Sequence, residues 1–197
     1  MKLKETKELF QNELAGLYDF EEIDSFIYIL IEHYLGLKRI ALALKPEISC
    51  SKEDLESILK ALESLKKQIP IQYILGETEF FGLPFKVNSH VLIPRPETEV
   101  LIDLILSQIN NKNNYFNILD IGTGCGCILV SLLKELTKAK GIGVDKSSKA
   151  IGIAKKNSIS QQVDNRALFK NVNLENIKFD KKFDLIVSNP PYLPDVS

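Results

Sequence analysis

Asn189-Pro190-Pro191-Tyr192, near the end of the chain, combines residue types that could hold a planar NH2 group. These residues follow an apolar run, residues 183–188, which predicts a buried strand. The two prolines fix the backbone and remove two N–H donors, so that their carbonyls and the side-chain oxygen of Asn189 face outward as acceptors. Tyr192 supplies a flat ring for stacking. A nitrogen held in this way could be aimed in line at an electrophilic methyl group; the alternative is a proline-rich turn that only ends the strand.

A glycine-rich loop and an acidic residue after it could bind a nucleoside. Gly122, Gly124 and Gly126 follow a predicted strand and open a predicted helix, and glycines at this spacing let backbone N–H groups approach a ligand closely. Asp145 ends the next predicted strand, where a carboxylate can accept hydrogen bonds from both hydroxyls of a ribose. The alternative for Asp145 is a cap on the helix that follows it. The glycine loop upstream favours the ribose.

The charge of Asp120 distinguishes between nucleoside ligands. Asp120 lies at the carboxyl end of the first of these strands, directly before the glycines. A negative charge there repels a pyrophosphate but attracts a cation. S-adenosylmethionine carries a sulfonium and an ammonium group beside its adenosine, so it suits this position better than NAD. The alternative is that Asp120 only caps backbone amides of the loop.

The elements that must position these residues fall into three predicted segments. Residues 1–70 carry apolar positions at helical spacing and predict a small all-helical domain. Within it, Gly36 predicts the end of one helix, and Ser51 with Asp54 predicts a capping box at the start of another. Residues 71–97 contain short apolar runs divided by glycine, proline and asparagine, which is typical of a β-hairpin connector.

Residues 98–197 begin with a helix and then alternate between strand and helix patterns. The predicted strands are "FNILDIG", "KGIGVD", "RALFKNV" and "FDLIVS". Such alternation predicts a parallel α/β sheet, in which ligands bind beyond the carboxyl ends of the strands. If the fourth strand pairs with the first, Asn189 faces the glycine loop.

The composition of the chain limits the classes of protein to which it can belong. The 197 residues carry a net charge of −1, with 45% hydrophobic and 26% charged residues, as in ordinary globular proteins. The absence of a basic stripe argues against a broad nucleic-acid-binding face. No segment resembles a signal peptide or is long and apolar enough to span a bilayer, so we expect no membrane association. Three cysteines give no even disulfide framework and predict a reducing cytoplasm; Cys125 and Cys127 lack further ligands for a metal site.

Nearly the whole chain resembles one family, the release factor glutamine N5-methyltransferases, also called the HemK or PrmC family. The resemblance rests on "LDIGTGCG", "GVDKSSKAIGIAKKNS", "FDLIVSNPPY" and "PIQYILGETEFFGLPFKVNSHVLIPRPETEVL". The NPPY motif is shared with enzymes that methylate amino groups of DNA and RNA, whereas "IPRPETE" joined to a helical N-terminal domain is much more specific.

The resemblance implies an S-adenosylmethionine-dependent methyltransferase with a Rossmann-like sheet. Its substrate would be the glutamine of the Gly-Gly-Gln motif in bacterial class 1 release factors, gripped in part by the helical domain, and we expect a monomer. Arg95 and Glu97 are weaker candidates for shaping the site. The implied donor contacts are Asp120, Gly122, Thr123, Gly124, Cys125, Gly126, Asp145, Leu174 and Asn189, and the implied glutamine contacts are Asn189, Pro190, Pro191 and Tyr192.

The chain departs from the family pattern in two places. Asn173 and Leu174 stand where relatives often have an acid followed by a bulkier residue. The family's sheet has further strands after the fourth, so we expect an incomplete sheet, a truncation after Ser197, an unpaired hydrophobic edge and poor activity. Three other functions stay open: a nucleic-acid adenine N6-methyltransferase, which the near-neutral charge disfavours; an inactive truncated binding module; and an NAD-linked oxidoreductase, which leaves NPPY unexplained.

Overall fold

The structure of the chain is a computed structural model that describes residues 2–40, 48–173, 175, 179 and 182–190. The chain divides into two compact units, Met1–Leu75 and Gly76–Ser197. Within the described part of the chain, no helix has both the length and the apolarity needed to cross a lipid bilayer.

The first unit is helical. Its helices that lie wholly within the described residues are α1 (Leu3–Leu14), α2 (Phe20–Leu35), α3 (Lys52–Lys66) and α4 (Ile71–Leu75). Apolar side chains at helical spacing bury one face of each of the three long helices in a common core, which includes Phe10, Leu30 and Leu65.

Both predicted helix boundaries of this unit are confirmed. Gly36 ends α2 in the left-handed conformation, with φ of 65°, and its N–H donates to the carbonyl of Glu32 at 2.9 Å. Ser51 starts α3 by accepting from the N–H of Asp54 at 3.1 Å. In a full capping box the Asp54 side chain would accept from the backbone N–H of Ser51. Here the Asp54 carboxylate accepts instead from the Ser51 hydroxyl at 2.7 Å.

The predicted connector begins differently from the hairpin expected over residues 71–97. Residues 71–75 form the helix α4, and Ile71 is buried in the helical core. Pro70 precedes the first helical residue, where its missing N–H is no loss. The hairpin itself is confirmed over shorter bounds: β1 (Glu77–Phe80) pairs antiparallel with β2 (Leu83–Lys86).

The rest of the second unit alternates between helix and strand, as predicted. Its elements are α5 (Pro96–Ser107), β3 (Asn117–Ile121), α6 (Cys127–Glu135), β4 (Lys140–Asp145), α7 (Ser148–Ser160), β5 (Ala167–Asn171) and β6 (Leu185–Ser188). The four strands β3 to β6 are parallel and lie in the order β5-β4-β3-β6. The predicted α/β fold class is confirmed.

The register brings the carboxyl ends of the strands together. Ile121 at the end of β3 pairs with Val144 on one side and with Ser188 on the other. The Ser188 hydroxyl donates to the Ile121 carbonyl at 2.9 Å. Placing β6 beside β3 therefore puts the end of β6, which leads into Asn189 and Pro190, beside the end of β3, where the glycine loop begins.

Arg166 closes the amino-terminal edge of this sheet. Its guanidinium donates to the carbonyls of Leu133 at 2.7 Å, Leu136 at 3.0 Å and Ala139 at 2.9 Å. These carbonyls belong to the last turn of α6 and to the segment after it. Carbonyls at a helix end lack the N–H partners that a continuing helix would supply. One side chain thus fixes the connection between α6 and β4.

Candidate active site

The glycine loop follows β3 and is held against β4. The N–H groups of Gly122 and Thr123 donate to the Val144 carbonyl at 2.9 and 3.0 Å. Gly126 adopts φ of 83°, and a Cβ there would lie 3.1 Å from the Cβ of Ala154 on α7. Glycine is required at this position both for the backbone conformation and for the close approach of the loop to the helix.

Asp120 is fully buried beneath the loop. Its Oδ2 accepts from the Thr123 hydroxyl at 2.6 Å, whereas Oδ1 is buried without a partner among the described residues. Burial raises the pKa of Asp120 to about 6, an effect larger than the lowering by the hydrogen bond from Thr123. A buried oxygen that lacks a donor is where a cationic ligand group would be most stabilised, so this residue fits S-adenosylmethionine.

Asp145 already holds the local backbone. Its Oδ2 accepts from the N–H of Gly124 at 3.0 Å, and its Oδ1 accepts from the N–H of Ser147 at 2.8 Å. Ser147, and not Asp145, is the N-cap of α7, because its hydroxyl accepts from the Ala150 N–H at 3.2 Å. Each carboxylate oxygen has further lone pairs, so Asp145 keeps the capacity to accept ribose hydroxyls while it anchors the glycine loop.

Asn189 lies in a cavity at the end of β6. Its Nδ2 donates to the Thr98 hydroxyl oxygen at 2.8 Å, and Thr98 is only 5% exposed on the first turn of α5. This bond uses the amide nitrogen and leaves Oδ1 as the acceptor that the side chain can offer to a ligand. The cavity has a volume of about 700 Å³ and is lined by Leu92, Arg95, Glu97, Thr98, Leu101, Ser188, Asn189 and Pro190.

The structure thus places Arg95 and Glu97 in the same cavity as Asn189, in the second unit of the chain. Leu174, Pro191 and Tyr192 lie outside the described residues. Sequence reasoning missed Thr98, although a small polar residue on the first turn of a helix, between two glutamates, was a signal that it faces inward.

The side chains of the two loop cysteines are packing groups in this geometry. Cys125 and Cys127 are both buried. A hydrogen bond with Cys125, together with burial, raises the pKa of the Cys127 thiol well above its ordinary value, so the thiol stays protonated. No group of three metal-ligating side chains occurs among the residues that the structure describes.

Comparison with known proteins covers both units. A family model described as "PrmC N-terminal domain" matches residues 7–76, and one described as "Methyltransferase small domain" matches residues 98–196. A release factor glutamine methyltransferase from Flavobacterium psychrophilum is 45% identical over 196 residues, which cover 98% of this chain and 68% of that protein.

Two other relatives share less of their length with the chain. A release factor glutamine methyltransferase from Caulobacter vibrioides is 34% identical over 166 residues, covering 84% of this chain and 57% of that protein. A bifunctional methyltransferase from Rickettsia bellii is 40% identical over 191 residues, covering 84% of this chain and 34% of that protein. The chain therefore spans between about one third and about two thirds of the length of these relatives.

Proposed function

Because the chain belongs to the release factor glutamine methyltransferase family, we propose that it transfers a methyl group from S-adenosylmethionine to a glutamine side chain. The acceptor is the amide nitrogen of the glutamine in the Gly-Gly-Gln motif of bacterial class 1 release factors. The reaction takes place in the cytoplasm, and the helical unit contributes to holding the release factor.

The observation that carries the proposal is the fixed orientation of Asn189. The bond from its Nδ2 to Thr98 leaves Oδ1 to accept an N–H from the substrate amide. Pro190 lines the same cavity, and its carbonyl or that of Pro191 is the proposed acceptor of the second N–H. An NH2 group held by two acceptors has its plane and its direction fixed, which removes most of the entropic barrier to an in-line reaction.

The same two acceptors also make the amide nitrogen a better nucleophile. Its lone pair is delocalised into the carbonyl, and hydrogen bonds from its two N–H groups to Asn189 and Pro190 shift electron density back toward nitrogen. As the N–C bond forms, the S–C bond of the donor breaks and its electron pair stays on sulfur. The methylated nitrogen then releases one proton to solvent, so no general base is needed.

The donor occupies the loop after β3. When bound, S-adenosylmethionine supplies an electrophilic methyl group on a sulfonium. Asp120 would stabilise its positive charge, Asp145 would accept from the ribose, and the backbone around the glycine loop would approach the rest of the molecule. The proposed contacts are Gly122, Thr123, Gly124, Cys125, Gly126 and Leu174, with Pro191 and Tyr192 completing the amide site.

The test compares Asn189→Ala with Asn165→Ala, an exposed asparagine just before β5 at the opposite edge of the sheet. Transfer of labelled methyl groups to a class 1 release factor is measured in single-turnover incubations with the chain in excess, so that slow transfer is detected. We expect Asn189→Ala to lose at least about 100-fold in rate at saturating donor, and Asn165→Ala to match the unsubstituted chain.

Two outcomes would overturn the proposal. One is an Asn189→Ala variant that transfers methyl groups at the unsubstituted rate. The other is label recovered on adenine of DNA or tRNA but not on glutamine, which would favour the nucleic-acid methyltransferase.

A further inference from the structure

Asn157, on the third turn of α7, makes three hydrogen bonds with its side chain and is 0% exposed. Its Oδ1 accepts from the Lys86 N–H at 2.7 Å, and its Nδ2 donates to the Lys86 carbonyl at 3.0 Å. The second Nδ2 hydrogen goes to the Cys125 carbonyl at 2.8 Å. Both donors and one acceptor site of the side chain are therefore paired with backbone groups of two other segments.

These two segments belong to different halves of the candidate site. Cys125 lies in the glycine loop, on the donor side. Lys86 is the last residue of β2, and the chain runs from there through residues 87–95 to Leu92 and Arg95, which line the Asn189 cavity. Asn157 is thus in direct contact with the donor loop and with the start of the segment that forms the substrate cavity.

The neighbours of Asn157 on α7 show that the helix is the common support. Ala154 lies one turn earlier on the helix. A Cβ added to Gly126 would come within 3.1 Å of the Ala154 Cβ, so the loop packs closely against the helix. Gln161, one turn later, donates from Nε2 to the Pro84 carbonyl at 2.7 Å. The Gln161 amide therefore bonds to the hairpin, whereas the Asn157 amide bonds to both the hairpin and the loop.

We propose that Asn157 is a positioning residue that fixes the glycine loop and the hairpin at one separation, so that the donor and substrate sides of the site form a single structural unit. The identity of the donor rests on the proposed function, but the coupling of the two segments does not. Loss of the side chain leaves Lys86 with an unpaired N–H and carbonyl and Cys125 with an unpaired carbonyl, which the protein can satisfy only by moving both segments or admitting water.

The first measurement is amide hydrogen exchange in the unliganded chain. We expect Asn157→Leu to accelerate exchange at least about tenfold both at Lys86 and in the peptide that spans residues 122–127. The control is Gln161→Met, which should affect only the hairpin. Thermal unfolding checks that each variant is folded; if Asn157→Leu is not, Asn157→Ala, which leaves room for a water, is used in its place.

The second measurement is calorimetric binding of S-adenosylhomocysteine. The Asn157 variant should bind at least about tenfold more weakly, and Gln161→Met within about twofold of the unsubstituted chain. In methyl transfer, KM for the donor should rise while kcat at saturating donor stays nearly constant. A merely structural role would instead lower the active fraction, and hence kcat, at unchanged KM.

The results separate this inference from the proposed function. Faster exchange at Lys86 with an unaffected glycine loop and unchanged binding would overturn the inference and make Asn157 a hairpin anchor only. If the unsubstituted chain does not bind S-adenosylhomocysteine, the proposed donor is wrong, and the exchange data alone decide whether Asn157 couples the two segments.

Discussion

Asp120→Asn should make the folded chain more stable at neutral pH while weakening its binding of the donor. The side chain is 0% exposed, and burial raises the pKa of its carboxyl from 3.8 to about 6. The difference corresponds to about 3 kcal/mol, at about 1.4 kcal/mol for each pH unit. Ionised Asp120 destabilises the fold by up to that amount, and an uncharged amide of the same shape removes the penalty.

The sign of the pH dependence follows from where the two states ionise. Below about pH 4 the carboxyl is protonated in both the folded and the unfolded chain, and the penalty is absent. Between pH 4 and about pH 6 only the unfolded chain loses its proton, so the folded state becomes progressively less stable. Above about pH 6 the penalty is complete, and the advantage of Asp120→Asn reaches its maximum.

Urea unfolding at pH 4, 6 and 8 measures this dependence. We expect the difference in unfolding free energy between Asp120→Asn and the unsubstituted chain to grow from near zero to at most about 3 kcal/mol in favour of the variant. Asp164→Asn, at an exposed position, should show no such trend. Calorimetry at pH 8 should show weaker binding of S-adenosylmethionine by Asp120→Asn. A variant that is less stable at pH 8, or that binds the donor equally well, would refute the reasoning.

Three further substitutions test single contacts. Thr98→Val should lower kcat about tenfold at unchanged donor affinity, because Asn189 loses its fixed orientation. Thr98→Ser keeps the hydroxyl and should keep turnover. Equal rates for the two variants would contradict the role of the bond. Gly126→Ala should weaken S-adenosylhomocysteine binding at least about tenfold by calorimetry, since its Cβ would press on Ala154, and unchanged affinity would show that the loop can move. Arg166→Met should lower the unfolding free energy in urea by about 2 to 4 kcal/mol through loss of three carbonyl bonds; a loss below about 1 kcal/mol would mean that water replaces them.

The sheet was predictable because its signals are local. Each strand of the second unit is a short apolar run, each helix follows within a few residues, and parallel pairing is the geometry that such alternation allows. The glycines at 122, 124 and 126 mark the loop after the first strand without any knowledge of tertiary structure. The pairing of the fourth strand with the first was only a condition in the prediction, and β6 does pair with β3.

The contacts that complete the site were not predictable, because they join residues far apart in sequence. Asn189 and Thr98 are separated by 91 positions, and Asn157 and Lys86 by 71. An asparagine in a helix is in general a weak helix former at a solvated position, and nothing in the sequence around Asn157 says that its amide is buried. The prediction placed the start of the connector too early. The pattern at Ile71 resembles that of a strand, but the burial of Ile71 in the helical core overrides it.

A feature that destabilises the fold lies where the donor is proposed to bind. Asp120 keeps a buried oxygen without a partner in the described structure. If Asp120 served only to cap the loop, both of its oxygens would be expected to have donors, because an unpaired buried oxygen reduces stability. A cation next to that oxygen would lower the pKa of Asp120 and remove the penalty, so the free energy lost in folding is recovered as binding. A pyrophosphate at the same place would increase the penalty, and this difference is the physical reason to expect a sulfonium donor and not NAD.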